Sequence, residues 1–102
     1  MNNTTQHRQA IMTPKPDKIE EIRELLIKCA QQISSRKADG GPISWCASFD
    51  ETTNRFFVDS IFASEDALKF HQKNIGPILK DVPPLLAAPL ETTLYSVFAV
   101  AH

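Results

Sequence analysis

His71, in Lys69-Phe70-His71-Gln72, is the candidate base of this chain, because its neutral imidazole, with an ordinary pKa of about 6.5, can take a proton from a phenolic molecule at neutral pH. A histidine on an apolar helix face is also a common interior residue bonded to a backbone carbonyl, and the sequence leaves both readings open. Asp59 is the candidate second acid or base. It falls between Phe57 and Ile61 on one strand face, where a buried carboxylate either acquires a raised pKa or pairs across the sheet or a subunit interface. Trp45, Phe62 and Tyr95 could sandwich a flat aromatic substrate, or fill a core as large aromatics do. Cys46, beside Trp45, has nothing local to lower its pKa and reads as packing; His7, Arg8 and the final His102 receive no role.

These residues need elements to place them. Arg8 to Thr13 can form a short first strand, stopped by Pro14 and Pro16. Asp17 is placed to cap a helix with Glu20 and Glu21 in its first turn. This helix reaches about Ser35 with Ile19, Ile22, Leu26, Cys29, Ala30 and Ile33 on one face. The turn Asp39-Gly40-Gly41-Pro42 leads into a strand over Ile43–Phe49. The polar loop 50–55 then joins it to an antiparallel partner over Phe56–Ala63. Ser64 caps a second helix, whose apolar face carries Leu68, His71, Ile75, Ile78, Leu79 and Val82; Gly76-Pro77 predicts a kink near Asn74 or two short helices. A last strand runs from Thr92 to Val100. The order β-α-β-β-α-β predicts an α+β ferredoxin-like fold with a four-stranded antiparallel sheet: a tail over 1–7 and one domain over 8–102.

The totals fit one core. The chain has 102 residues, 42% hydrophobic and 23% charged, which is ordinary globular usage. A net charge of -1 is too balanced to neutralise a run of phosphates or hold a membrane surface, so neither nucleic acid nor membrane is an expected partner. The two cysteines form no close-spaced metal pair and no disulfide framework; with no membrane-length apolar run and no signal-peptide core at the start, a cytoplasmic location is expected.

The strands are apolar on both faces. Phe56, Val58 and Phe62 alternate with Phe57 and Ile61 in the third, and Leu94, Phe98 and Val100 with Tyr95, Val97 and Ala99 in the fourth. Two helices cover one face of a four-stranded sheet. The other predicts a second sheet from an identical subunit, packed at about 10 Å, and a ligand pocket between sheet and second helix.

Three stretches carry a resemblance: Lys15-Pro16-Asp17-Lys18 opening the first helix, Gly41-Pro42-Ile43-Ser44 entering the second strand, and Phe62 through His71. With the element order, they resemble the antibiotic biosynthesis monooxygenase family of dimeric α/β barrels over roughly residues 8–100. Family members commonly place an aromatic, often Trp, at the end of the third strand and a His on the inner side of a Ser-capped helix; Phe62 and His71 occupy those slots. The resemblance implies a homodimer that oxidises quinol- or anthrone-like aromatics with oxygen and uses neither flavin nor metal. Haem-degrading relatives use an Asn of the first strand, a Trp and a later His of the second helix. No matching set occurs, because Asn2 and Asn3 lie in the tail and no His follows His71 before His102.

Three functions compete: a cofactor-free oxygenase with His71 as base, an isomerase or other proton-transfer enzyme in the same pocket, and a non-catalytic barrel that binds an apolar ligand. An ionisable group within reach of His71, with Asp59 the strand candidate, would favour proton transfer; a His71 bonded to backbone would favour the binder.

Overall fold

The structure, a computed structural model, describes residues 5–101. Its elements are β1 (Gln6–Met12), α1 (Ile19–Ser35), β2 (Ser44–Asp50), β3 (Arg55–Phe62), α2 (Glu65–Leu79) and β4 (Glu91–Ser96), with a single 3-10 turn at Pro83–Leu85. The sheet runs β2-β3-β1-β4, and each neighbouring pair is antiparallel. This is the expected α+β ferredoxin-like fold, with the two strands distant in sequence, β1 and β3, at its centre.

Several boundaries differ from expectation, each for a local reason. Strand β1 begins at Gln6 rather than Arg8, because Gln6 and His7 are paired on both sides, Gln6 with Phe62 and Ser96 and His7 with Ile61 and Tyr95. Of the expected tail, residues 1–4 lie outside the described residues. Strand β4 ends at Ser96, short of Val100. The Val97 N–H still donates to Thr5 O at 3.1 Å, and the residues that would face the rest of the expected strand lie outside the described ones. Asp17 does not cap α1. Lys18 N–H donates to Lys15 O at 2.9 Å, so the entry is a backbone turn and the cap position falls on Lys18, which makes no side-chain cap bond. Gly76-Pro77 does not divide α2, which continues to Leu79. Pro77 sits in the last turn, and the carbonyl that loses its donor belongs to exposed Lys73, where water can serve it.

The β2–β3 hairpin closes as its sequence dictates. The Asp50 carboxylate accepts from the N–H of Thr52 at 2.9 Å, and Asn54 takes the left-handed φ of 57° that its short polar side chain tolerates. On the helix side of the sheet, Met12 and Phe56 join Ile22, Leu26 and Val82 in the core. In β3 this side carries Phe56 at 2% exposure, Ser60 at 4% and Phe62 at 0%, while Phe57, Asp59 and Ile61 on the other side are half-buried.

Helix α1 packs on β2 and α2 on β3, so the helices leave β4 uncovered. Every residue of β4 is exposed, including Leu94 at 52% and Tyr95 at 46%. The expectation that two helices cover one whole face therefore holds for the β3 and β1 part of the sheet and only in part for β2, whose helix-side Ala47 is exposed, and β4 stands bare on both faces. No helix among the described residues is long and apolar enough to cross a membrane.

Candidate functional site

Helix α2 is fixed at its start and its middle. Ser64 Oγ accepts from Ala67 N–H at 3.1 Å, with Glu65 and Asp66 in the first turn favouring the positive helix end. Gln32 Nε2 donates to Asn74 Oδ1 at 2.7 Å and ties α2 to α1. One turn apart, His71 and Ile75 then face the sheet, at 2% exposure each.

The His71 ring lies 5.0 Å from the Phe62 ring, tilted by 60°, and its Nδ1 is buried with no hydrogen-bond partner. Burial first, and the nearby Arg8 guanidinium second, push its pKa down to about 4. The imidazole is therefore neutral at physiological pH, as a proton acceptor must be.

His71 forms part of the wall of a cavity of about 40 Å³ between the sheet and the helices, shared with Arg8, Trp45, Ser60, Ile75 and Leu79 among others. Trp45 Nε1 is the second buried polar atom without a partner among the described residues. Among those residues Arg8, from the helix side of β1, makes no ion pair or side-chain hydrogen bond, and burial lowers its pKa without threatening its charge. An apolar chamber of about 380 Å³, open to solvent, shares the walls Met12, Leu79 and Leu90 with this cavity and is otherwise lined by Val82, Pro83, Leu86, Ala87, Ala88 and Pro89. The arrangement suits a small molecule with an apolar body and one polar end.

The other two expected site residues lie elsewhere. Asp59 and Tyr95 alternate to the open face of the sheet, so the sheet stands between them and the cavity. There, Asp59 Oδ1 is 2.7 Å from His7 Nε2 and accepts from Gln9 Nε2 at 3.2 Å, while the Tyr95 ring lies 5.3 Å from the His7 ring. The expectation that Asp59 joins His71 in one proton-transfer site is thereby corrected: strand alternation sends neighbouring side chains to opposite faces, and Asp59 takes the cross-strand pairing left open for it. Of the three aromatics, Trp45 borders the cavity, Phe62 supports the His71 ring from the core, and Tyr95 belongs to the opposite face. Cys29 is buried, its thiol pushed up to about 11 by burial, whereas Cys46, expected to pack, is exposed on the open face opposite Asp59. Among the described residues, no group of three or more His, Cys, Asp or Glu could hold a metal ion.

Arg8, Ser60 and His7 were not among the expected site residues. One signal pointed to Arg8 and Ser60: each is a polar side chain at a period-2 position shared with apolar residues, Ala10 and Met12 in one strand, Phe56, Val58 and Phe62 in the other. His7 had no such signal, since its partner sits 52 residues away.

No family model and no curated protein matches the sequence. Solved structures do match its fold. Rv0793 from Mycobacterium tuberculosis is 20% identical, with a TM-score of 0.80 over 96% of this chain and 99% of that one. A putative antibiotic biosynthesis monooxygenase from Caulobacter crescentus is 17% identical, with a TM-score of 0.83 over 95% and 92%. NE2512, a protein of unknown function from Nitrosomonas europaea, is 19% identical, with a TM-score of 0.79 over 99% and 97%. At such identities the shared property is the fold, and the chain has the ferredoxin-like fold of these structures, one of which is named a putative antibiotic biosynthesis monooxygenase.

Proposed function

We propose that the chain is a cofactor-free monooxygenase that oxidises a small quinol- or anthrone-like aromatic, working as a homodimer. The observation that carries this reading is the unpartnered, buried Nδ1 of His71, a residue in the wall of a small cavity that also carries Arg8, Trp45 and Ser60 and borders an apolar pocket. A histidine kept for packing alone would have its ring nitrogens satisfied. The names of the structures that share the fold point the same way.

In this mechanism His71 removes a proton from the substrate, and the resulting electron-rich anion gives electrons directly to oxygen. For an anthrone-like CH2 group, the carbon loses two hydrogens and gains one oxygen atom as a carbonyl. The second oxygen atom leaves as water with those hydrogens, so the substrate supplies every electron. The transfer is uphill in the empty site: about 4 for His71 against about 10 for a phenol is about six pKa units, which stabilisation of the oxyanion must offset.

The two competing readings have less support. An isomerase needs a second proton carrier near His71, and no carboxylate lines the cavity. A passive binder fits a His71 bonded to backbone, which the unpartnered Nδ1 does not favour. For the dimer, the support is the apolar area left open: Ile11, Phe57 and Ile61 half-buried on the open face with Tyr95 of β4, Leu94 exposed on the uncovered helix side of β4, and Phe98 after it 96% exposed.

The test is oxygen uptake by metal-stripped protein with a panel of hydroquinones and anthrones. Uptake is expected with the native chain and is expected to fall by about 10²-fold or more in His71→Ala, the usual weight of a general base. Native-level uptake in His71→Ala, or none with any substrate, would overturn the reading.

A further inference from the structure

Arg8, Trp45 and Ser60, each with a donor, line part of the small cavity, and no carboxylate lines it. Arg8 brings an unneutralised guanidinium, Trp45 an indole N–H that can only donate, and Ser60 a hydroxyl on a residue 4% exposed. A buried N–H without an acceptor is costly, and a half-buried guanidinium beside it lacks a counter-ion, so the place suits an acceptor that arrives with the ligand. The space of about 40 Å³ has room for one or two oxygen atoms and not for a ring, while the adjoining chamber of about 380 Å³ has room for the ring.

We propose that Arg8 and the Trp45 indole N–H form an oxyanion-binding subsite, so that the ligand is a small apolar molecule bound through one ionised oxygen, a phenolate or enolate. The location of the ligand rests on the reading given under Proposed function; the recognition itself is binding and needs no oxygen chemistry. An oxyanion beside Arg8 cancels the charge that disfavours an imidazolium at His71, so the two halves of the proton transfer support one another.

The probe is 4-nitro-1-naphthol, whose ionisation is read from its visible absorbance. With native protein in excess, the bound probe is expected to ionise at a pH at least about one unit below the free probe, which means the anion binds about tenfold or more tightly than the neutral form. Arg8→Gln is expected to abolish this preference and Arg8→Lys to keep part of it, since an ammonium retains the charge and loses the fork. Trp45→Phe weakens the preference. Circular dichroism of each variant separates a lost subsite from a lost fold, and Arg8→Lys keeps the test open if Arg8→Gln does not fold. Equal binding of the two forms by native protein, binding of neither, or a preference that survives Arg8→Gln in folded protein would overturn the subsite. Anion preference without oxygen uptake keeps the subsite and removes the oxygenase; uptake without anion preference does the reverse.

Discussion

Replacing His71 by leucine should change how the stability of this protein depends on pH. In the folded chain burial and Arg8 hold His71 at about 4, against about 6.5 for an unperturbed imidazole. Between these values the unfolded chain binds the proton and the folded chain does not, so stability rises with pH through this window and is lost as pH falls from 6.5 towards 4. At pH 4.5 the unfolded histidine is almost wholly protonated and the folded one mostly neutral. The difference removes about 2.5 kcal/mol relative to pH 7.5, a large part of the stability of a small domain. The leucine side chain does not titrate, so the variant lacks this pH dependence. The assay is urea unfolding of both chains at the two pH values and one protein concentration, followed by the fluorescence of the sole tryptophan, Trp45. Carboxylates that titrate in the same range act on both chains and cancel. The native midpoint should fall on acidification by on the order of 1–2 M urea more than that of His71→Leu. Parallel midpoints would show that His71 is not a desolvated neutral imidazole, and the case for it as the base would fall with that.

Other outcomes follow from the same geometry. Ser64→Ala removes the acceptor for Ala67 N–H and should cost about 1 kcal/mol in thermal or urea unfolding, with weaker binding in the His71 cavity because α2 frays at that end. Asp59→Asn should cost about 1 kcal/mol or less, since the His7–Asp59 pair is a third exposed, and should leave oxygen uptake intact; loss of uptake in folded Asp59→Asn would return Asp59 to the chemistry. Light scattering at micromolar concentration should give about twice the 11.4 kDa of one chain, and the monomer mass would remove the argument from the open sheet face.

Much of the fold was legible because it depends on short-range rules. The apolar spacing of Ile22, Leu26 and Cys29, the Ser64 cap and the turn chemistry of Asp50 to Asn54 each act within a few residues, and each survives in the structure. His71 was legible for the same reason, as a member of the apolar face of α2. The ends of β1 and β4 were less so, because a strand extends as far as its neighbours do, and the partners of Gln6 and His7 lie in β3 and β4.

The sequence by itself therefore determined the order of elements, the helix faces and the candidate base. Only the tertiary structure decided which polar residues meet. It brought Arg8 of β1, Trp45 of β2, Ser60 of β3 and His71 of α2 to one cavity, and it sent Asp59 and Tyr95 to the other side of the sheet. The reason is that strand alternation is known along each strand but its phase against the neighbouring strands and the helix layer is set by register, and register is settled when all the apolar faces are buried together.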